Sequence, residues 1–504
     1  MTNLIKPSIK SNVGQSDPVA ITSIARLRSG QIGPFGLAAL AIGILSPALG
    51  LFAIWGPMQA ATGPITPLVF LGAAALALPT AISYAALNRE APSAGAASTW
   101  LWRAVSPAAG YFVGLTMTTY FLLAALAQPL MFGLFFRDLL VFLGLPDFGL
   151  ATLLVSIPLI TMPVMWAAYR GAAASTRTAV VLMAIESAVV IALSVTILSR
   201  RFPVAGGLSL SPMNPWAATH GIAGYWTAMI LGILAYCGFD VVSSAAEETL
   251  APREHVPKAI ILTIIGITVF WALNAWAFTL ALPNETVVRY SAEGLTAVTP
   301  MAQLFWGRGS ILIILTAFTG LFAVYITGTL GASRIIFALS RHRLLPSWLS
   351  HLSPVRRVPT NALHAVFFLV LVGDAAALLI LRNGLEAFTW WANAMVFFAT
   401  VTFAAVNVAN ILYFRRVAPE RFRPWTNLIV PVIGAGMTLY VMYESFFVSL
   451  WQTGSEAGRT VVMFGVALLA LFALTVGCTA RKAPEVLTGT APIEAEHAPV
   501  ELTS

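Results

Sequence analysis

The chain has 504 residues, 58% of them hydrophobic and only 10% charged, against about 25% charged in an ordinary soluble domain. That balance excludes a soluble globular protein and makes the bilayer the solvent. The net charge of +8 is what the Lys/Arg excess that orients membrane proteins would produce, so it identifies no nucleic-acid partner.

Runs with at most one ionisable side chain, each about 20 residues or longer, fall at roughly 33–57, 65–88, 108–136, 150–168, 178–199, 222–246, 259–282, 310–333, 360–381, 387–414, 426–450 and 460–480. They predict twelve spans. Residues 1–32 scatter Lys6, Lys10, Arg26 and Arg28 among Ser, Gly and Pro with no short apolar core before a cleavage site, and read as a cytoplasmic tail rather than a removable signal. With both termini in the cytoplasm, the inner loops hold a roughly threefold excess of Lys and Arg, as the positive-inside rule expects. The acidic, Ala/Pro-rich stretch 483–504 reads as a disordered tail. Two cysteines, Cys237 and Cys478, supply neither a disulfide framework nor a Cys-rich metal site; no metal or cofactor is expected.

Two spans carry helix-breaking residues near their middle, where free backbone is tolerated only if buried in protein or lining a cavity. In the first, Gly43-Ile44-Leu45-Ser46-Pro47-Ala48-Leu49-Gly50 sets a proline between glycines. Pro47 removes one helical hydrogen bond and clashes with the preceding turn. In the sixth, Ala235-Tyr236-Cys237-Gly238-Phe239-Asp240 joins a glycine to an intramembrane carboxyl. Paired interruptions at corresponding places point to a transporter's central site, although Pro and Gly also merely kink membrane helices.

The sixth span continues Gly238-Phe239-Asp240-Val241-Val242-Ser243-Ser244-Ala245-Ala246-Glu247-Glu248-Thr249, then Pro252-Arg253 and Val256-Pro257-Lys258-Ala259-Ile260. This resembles the Gly-Phe-Asp/Glu…Glu-Glu-Thr…Pro…Pro…Ile signature of the amino acid, polyamine and organocation (APC) superfamily of permeases. Pro92-Ser93-Ala94-Gly95 with Trp100, and Arg334-Ile335-Ile336-Phe337-Ala338, Leu345-Pro346 and Val358-Pro359-Thr360-Asn361, resemble two further stretches of that family. The resemblance implies an all-α integral membrane protein with 12 transmembrane helices in a 5+5 inverted-repeat (APC/LeuT-type) fold: one repeat at about 33–199, the second at about 222–414, and two extra C-terminal helices at 426–480. It also implies secondary active transport by alternating access. The chain departs from the family at Pro47, which stands where relatives offer amides to a substrate carboxylate. Carboxylate capture then falls to the amides of Ala48, Leu49 and Gly50, and an amine without a carboxylate becomes an alternative substrate. Ser340-Arg341-His342-Arg343 and Ala96 also depart from the family pattern.

Four carboxyls fall within spans: Glu186, Asp240, Asp374 and Glu444. A charge at mid-bilayer costs about 2.5–3.5 kcal/mol on insertion scales, which makes each a functional candidate. Glu186 has no basic residue in its span and is the candidate proton-coupling group. By resemblance it lies where some relatives place a lysine that replaces a sodium ion. Asp240 is placed to meet an amine substrate or to cap the half-helix that follows it. Asp374 and Glu444 belong to the peripheral ninth and eleventh spans and read as structural. Tyr120, Tyr236, Tyr325, Thr327, Trp390, Trp391 and Asn393 are candidates to line the cavity, through aromatic faces that attract an ammonium group; each alone also fits ordinary packing. Glu247, Glu248 and Arg253, at the inner end of the sixth span, form a candidate cytoplasmic gate or simply a solvated helix end.

No HExxH, phosphate loop or hydrolase triad motif is present, so neither an enzyme nor an ATP-driven pump is indicated. A channel would favour rings of repeated polar residues, and a sensor a sizeable cytoplasmic segment. The expectation is a permease for amino acids or related amines in the cytoplasmic membrane, with uptake coupled to a proton gradient. A choline, ethanolamine or polyamine permease or an exchanger of the same fold is the alternative. Its partners are then a small-molecule substrate, protons and the lipid bilayer.

Overall fold

In the computed structural model the described residues are Leu37, Ile42, Gly43, 45–170, 172–205, 209–246, 249–293, 295–452 and 456–482, with the backbone alone at 172–180, 202–205 and 482. The expected tails, Glu247, Glu248 and most of residues 33–44 lie outside them. Regular structure among the described residues is helical.

After the first break come two short helices, α1 (Leu49–Phe52) and α2 (Trp55–Thr62). They lead into α3 (Thr66–Glu90), the short loop helix α4 (Ala97–Ala104) and α5 (Pro107–Phe142). Next are α6 (Leu150–Arg170), α7 (Ala172–Ala205), α8 (Gly221–Tyr236) and the one-turn α9 (Val241–Ser244). Beyond the second break run α10 (Pro252–Thr279), the loop helices α11 (Asn284–Ala292) and α12 (Val298–Trp306), and α13 (Ile311–Arg341). The chain ends in α14 (Thr360–Leu381), α15 (Gly384–Arg416), α16 (Val430–Met442) between two π-helical stretches, and α17 (Glu456–Lys482).

Eleven helical segments among the described residues are long and apolar enough to cross a membrane, since about 20 residues at 1.5 Å each span the hydrocarbon core. They correspond to the expected second to twelfth spans. The expected first span, 33–57, is described only in part and is broken where it is described. Helix starts follow local chemistry. Ser106 Oγ accepts the Ala109 N–H at 3.2 Å ahead of Pro107, and Asn383 Oδ1 accepts the N–H groups of Leu385 and Glu386 at 2.9 and 3.2 Å, satisfying donors that a helix start leaves free.

Among the long helices, α3 lies along α10, and α5 lies along both α13 and α15. The two broken helices, 45–62 and 221–244, sit between these long rods. Exposed apolar side chains such as Met162, Leu262, Phe368 and Leu474 face where lipid takes the place of water. Inside, a polar ladder ties α3 to α15 and the turn before α16. Asn407 Nδ2 donates to Thr80 Oγ1 at 2.9 Å, Ser83 Oγ donates to Asn407 Oδ1 at 2.8 Å, and Asn427 Nδ2 donates to Asn410 Oδ1 at 2.9 Å.

Candidate substrate site

The first break is closed by its own polar groups. Helical pairing ends with the Ser46 N–H on Ile42 O at 2.9 Å. Ser46 then takes a left-handed φ of 41°, and Pro47 has no N–H to continue the ladder. The released groups find partners. Ser46 Oγ accepts the Leu49 N–H at 3.2 Å and donates to Glu186 Oε2 at 2.6 Å, and the Ala48 N–H reaches the same Oε2 at 3.4 Å. Gly50 N–H bonds to Ser46 O at 3.2 Å, and Trp271 Nε1 of α10 donates to Pro47 O at 3.0 Å. The amides of Ala48, Leu49 and Gly50, considered above for carboxylate capture, therefore all have partners inside the protein.

Glu186, on α7 and only 1% exposed, thus sits at the start of the resumed helix, where the backbone dipole favours a negative group. Space for it comes from α13. A Cβ on Gly320 would lie 2.6 Å from Ser46 Oγ and 3.4 Å from the Glu186 carboxyl carbon, so three helices converge on this point only because that residue is glycine.

At the second break, Cys237 turns to extended backbone and Gly238 takes a φ of 114°, a conformation that side-chain-bearing residues rarely adopt. Asp240 is fully buried. Its carboxyl does not cap α9; it accepts from Tyr120 Oη at 3.0 Å and from Tyr84 Oη at 3.2 Å. Asp240 therefore joins α5 and α3 beneath the break. Phe239 stacks edge-on to Tyr84, ring centroids 5.6 Å apart, and packs on Phe403.

Between the breaks lies a cavity of about 70 Å³. Of the residues singled out in the sequence it is lined by Leu49, Gly50, Tyr120, Cys237 and Gly238. Its walls are otherwise largely apolar: Phe121 and Met131 from α5, Leu321 and Val324 from α13, Phe388 and Met395 from α15. The sequence reading missed Gln128, an uncharged amide in the third span that lines the cavity and donates to Ala124 O at 3.1 Å. A lone amide in an apolar run was its available signal, and counting only ionisable groups passed over it.

Other candidates stand apart from this cavity. Tyr236 Oη lies 2.8 Å from Thr268 Oγ1 and 3.1 Å from Phe70 O, facing α3 and α10. Tyr325 Oη meets Thr161 Oγ1 at 3.1 Å, between α13 and α6. Thr327 donates to Ala323 O in its own helix. Trp390 and Asn393 line a separate open cleft of about 400 Å³ near α17, where Trp390 Nε1 donates to Thr460 Oγ1 at 2.9 Å. Arg253 begins α10, and its candidate gate partners Glu247 and Glu248 lie outside the described residues.

Comparison with known proteins gives the family and the fold. The amino acid permease family matches residues 32–472. The chain is 26% identical over 453 residues to the branched-chain amino acid permease BcaP of Bacillus subtilis, covering 87% of this chain and 92% of that protein. It is 24% identical to the low-affinity putrescine importer PlaP of Escherichia coli, covering 83% and 88%. A crystal structure of the Eremococcus coleocola manganese transporter aligns with a TM-score of 0.55 at 12% identity, covering 91% of this chain and 98% of that one, a likeness of fold alone. With a family match across nearly its whole length and broken helices meeting at a central cavity, this multi-pass membrane protein belongs to the amino acid permease family of the APC superfamily.

Proposed function

We propose that the chain is a secondary active transporter that carries amino acids with apolar side chains into the cell across the cytoplasmic membrane, coupled to proton entry through Glu186, with both termini cytoplasmic. The observation that carries this reading is the contact between Glu186 and the first break. One carboxyl oxygen receives the Ser46 hydroxyl and the Ala48 amide, so the carboxyl's ionisation and the geometry of the helix beside the cavity are one variable. A carboxylate accepts both donors. A protonated carboxyl turns one oxygen into a donor, loses acceptor capacity, and leaves Ser46 and the resumed helix free to shift.

The lining supports the substrate class. Its walls are apolar, and none of its described residues is a carboxylate; Asp240 already accepts from two tyrosines. That suits an aliphatic side chain better than a polyamine. At about 70 Å³ the cavity falls well below the roughly 300–1,000 Å³ of small-molecule sites, so the walls must part to admit substrate, in keeping with alternating access.

The test is uptake into proteoliposomes of a labelled panel (leucine, valine, alanine, lysine, putrescine, choline) with and without an imposed inward proton gradient. Saturable, gradient-driven leucine or valine accumulation is expected. Gradient-independent uptake, or preference for putrescine or choline, would overturn the coupling or the substrate class respectively.

A further inference from the structure

A third buried carboxyl lies outside the mechanism above. Asp374 of α14 is fully buried, and neither of its oxygens has a hydrogen-bond partner. Beside it is the indole of Trp391 on α15, whose buried Nε1–H acts on this carboxyl and meets no other acceptor. The Trp391 ring packs over Gly373, the residue preceding Asp374. The remaining titratable group acting in this cluster is the Tyr325 phenol, which is engaged with Thr161.

Three buried polar atoms with no well-formed hydrogen bond in one place are unusual, because unpaired polar groups at membrane depth are costly. An ionised carboxyl with no cation beside it is costlier still, so Asp374 belongs here as a neutral acid. In that form it has an acceptor to offer the indole N–H.

The place of Trp391 on its helix makes this contact matter. Phe388, Trp391 and Met395 recur at spacings of three and four residues and so share one face of α15. The two outer members of that set line the central cavity. Whatever fixes Trp391 fixes the wall on either side of it.

We infer that neutral Asp374 is a positioning residue that, through the indole N–H of Trp391, sets the α15 wall of the substrate cavity and thereby substrate affinity. This rests on the cavity being the substrate site, and the experiment separates the two claims. Leucine uptake into proteoliposomes is measured for the wild type and for Asp374→Asn, Asp374→Leu, Trp391→Phe, the Asp374→Leu/Trp391→Phe double variant and Met395→Trp, with thermal unfolding followed for each.

Asp374→Asn keeps a neutral group that can accept from the indole, and is expected to keep wild-type KM and pH profile. Asp374→Leu and Trp391→Phe are each expected to raise KM by roughly threefold to tenfold, the range of one lost hydrogen bond, with kcat little changed. The double variant is expected to be no worse than either single one. Wild-type KM in Trp391→Phe, additive effects in the double variant, or a shifted pH profile in Asp374→Asn would each overturn the inference. Trp391→Phe removes only an N–H and keeps the test available should Asp374→Leu fail to fold. Met395→Trp fills the cavity directly; if it leaves leucine KM unchanged, the cavity reading fails instead.

Discussion

Ser46 and Glu186 are separated by 140 positions in the chain and by 2.6 Å in space. Their hydrogen bond yields the sharpest expectation at the scale of single residues. Glu186→Gln keeps shape and a carbonyl acceptor for Ser46 but cannot cycle a proton; it should abolish gradient-driven accumulation while leaving counterflow exchange of substrate measurable. Retained accumulation in that variant would remove the coupling role. Gly320→Ala inserts a methyl against Ser46 and the Glu186 carboxyl and should cost about 1–3 kcal/mol, the usual penalty of overpacking, read as a lowered unfolding temperature together with reduced uptake. Glu186 was visible in the sequence as an unaccompanied carboxyl, but its partner was not, because a span apolar on every side does not announce which face meets which neighbour. For the same reason Tyr236, Tyr325, Trp390 and Asn393 were legible as polar or aromatic groups at depth while their directions, away from the central cavity, were not. Tyr84, the second donor to Asp240, gave no signal until α3 was in place.

The elements are held to one another by polar contacts that apolar packing alone would not fix. Asn407, fully buried, bonds to Thr80, Ser83 and Phe403 O. Asn407→Leu leaves the two hydroxyls to re-pair or go unsatisfied and should cost about 1–3 kcal/mol, measurable as a lower unfolding temperature in detergent; an unchanged temperature would show that the ladder is dispensable. At the C-terminal end of α13, just beyond the membrane helix, His342 packs on Trp102 of α4 with ring centroids 6.3 Å apart. Burial first, and then the charge of Arg341, push it from 6.5 down to about 4. The folded state therefore holds this imidazole neutral, whereas the unfolded chain takes up a proton as pH falls below 6.5. Its contribution is intact above pH 6.5 and is lost progressively as pH falls from 6.5 toward about 4. Unfolding temperatures of the wild type should drop over that interval, and His342→Phe should flatten the drop.

Across the whole molecule, the expected second to twelfth spans, the two interruptions and the family resemblance agree with the eleven described crossing helices, the breaks and the family match that followed. This agreement has a physical cause. A bilayer forces each crossing segment to satisfy its own backbone, so span length, apolarity and the Pro or Gly that interrupts them are written locally. The membrane orientation proposed from the basic loops is checked by labelling single cysteines placed at the termini in intact cells; external labelling of either terminus would reverse it.

Composition and local chemistry alone therefore determined that this chain crosses a membrane many times, where two of its crossings break, and which carboxyls are costly enough to need a reason. Only the tertiary structure decided which groups meet. It brought Glu186 to Ser46 and Ala48, gave Asp240 to Tyr84 and Tyr120 instead of to a helix cap, and drew the cavity wall from Phe121, Phe388 and Met395 on helices far apart in sequence. Hydrogen bonds and packing between rods depend on how each helix is rotated and how far it slides. In a helix apolar on all sides, neither quantity is encoded until its neighbours are present.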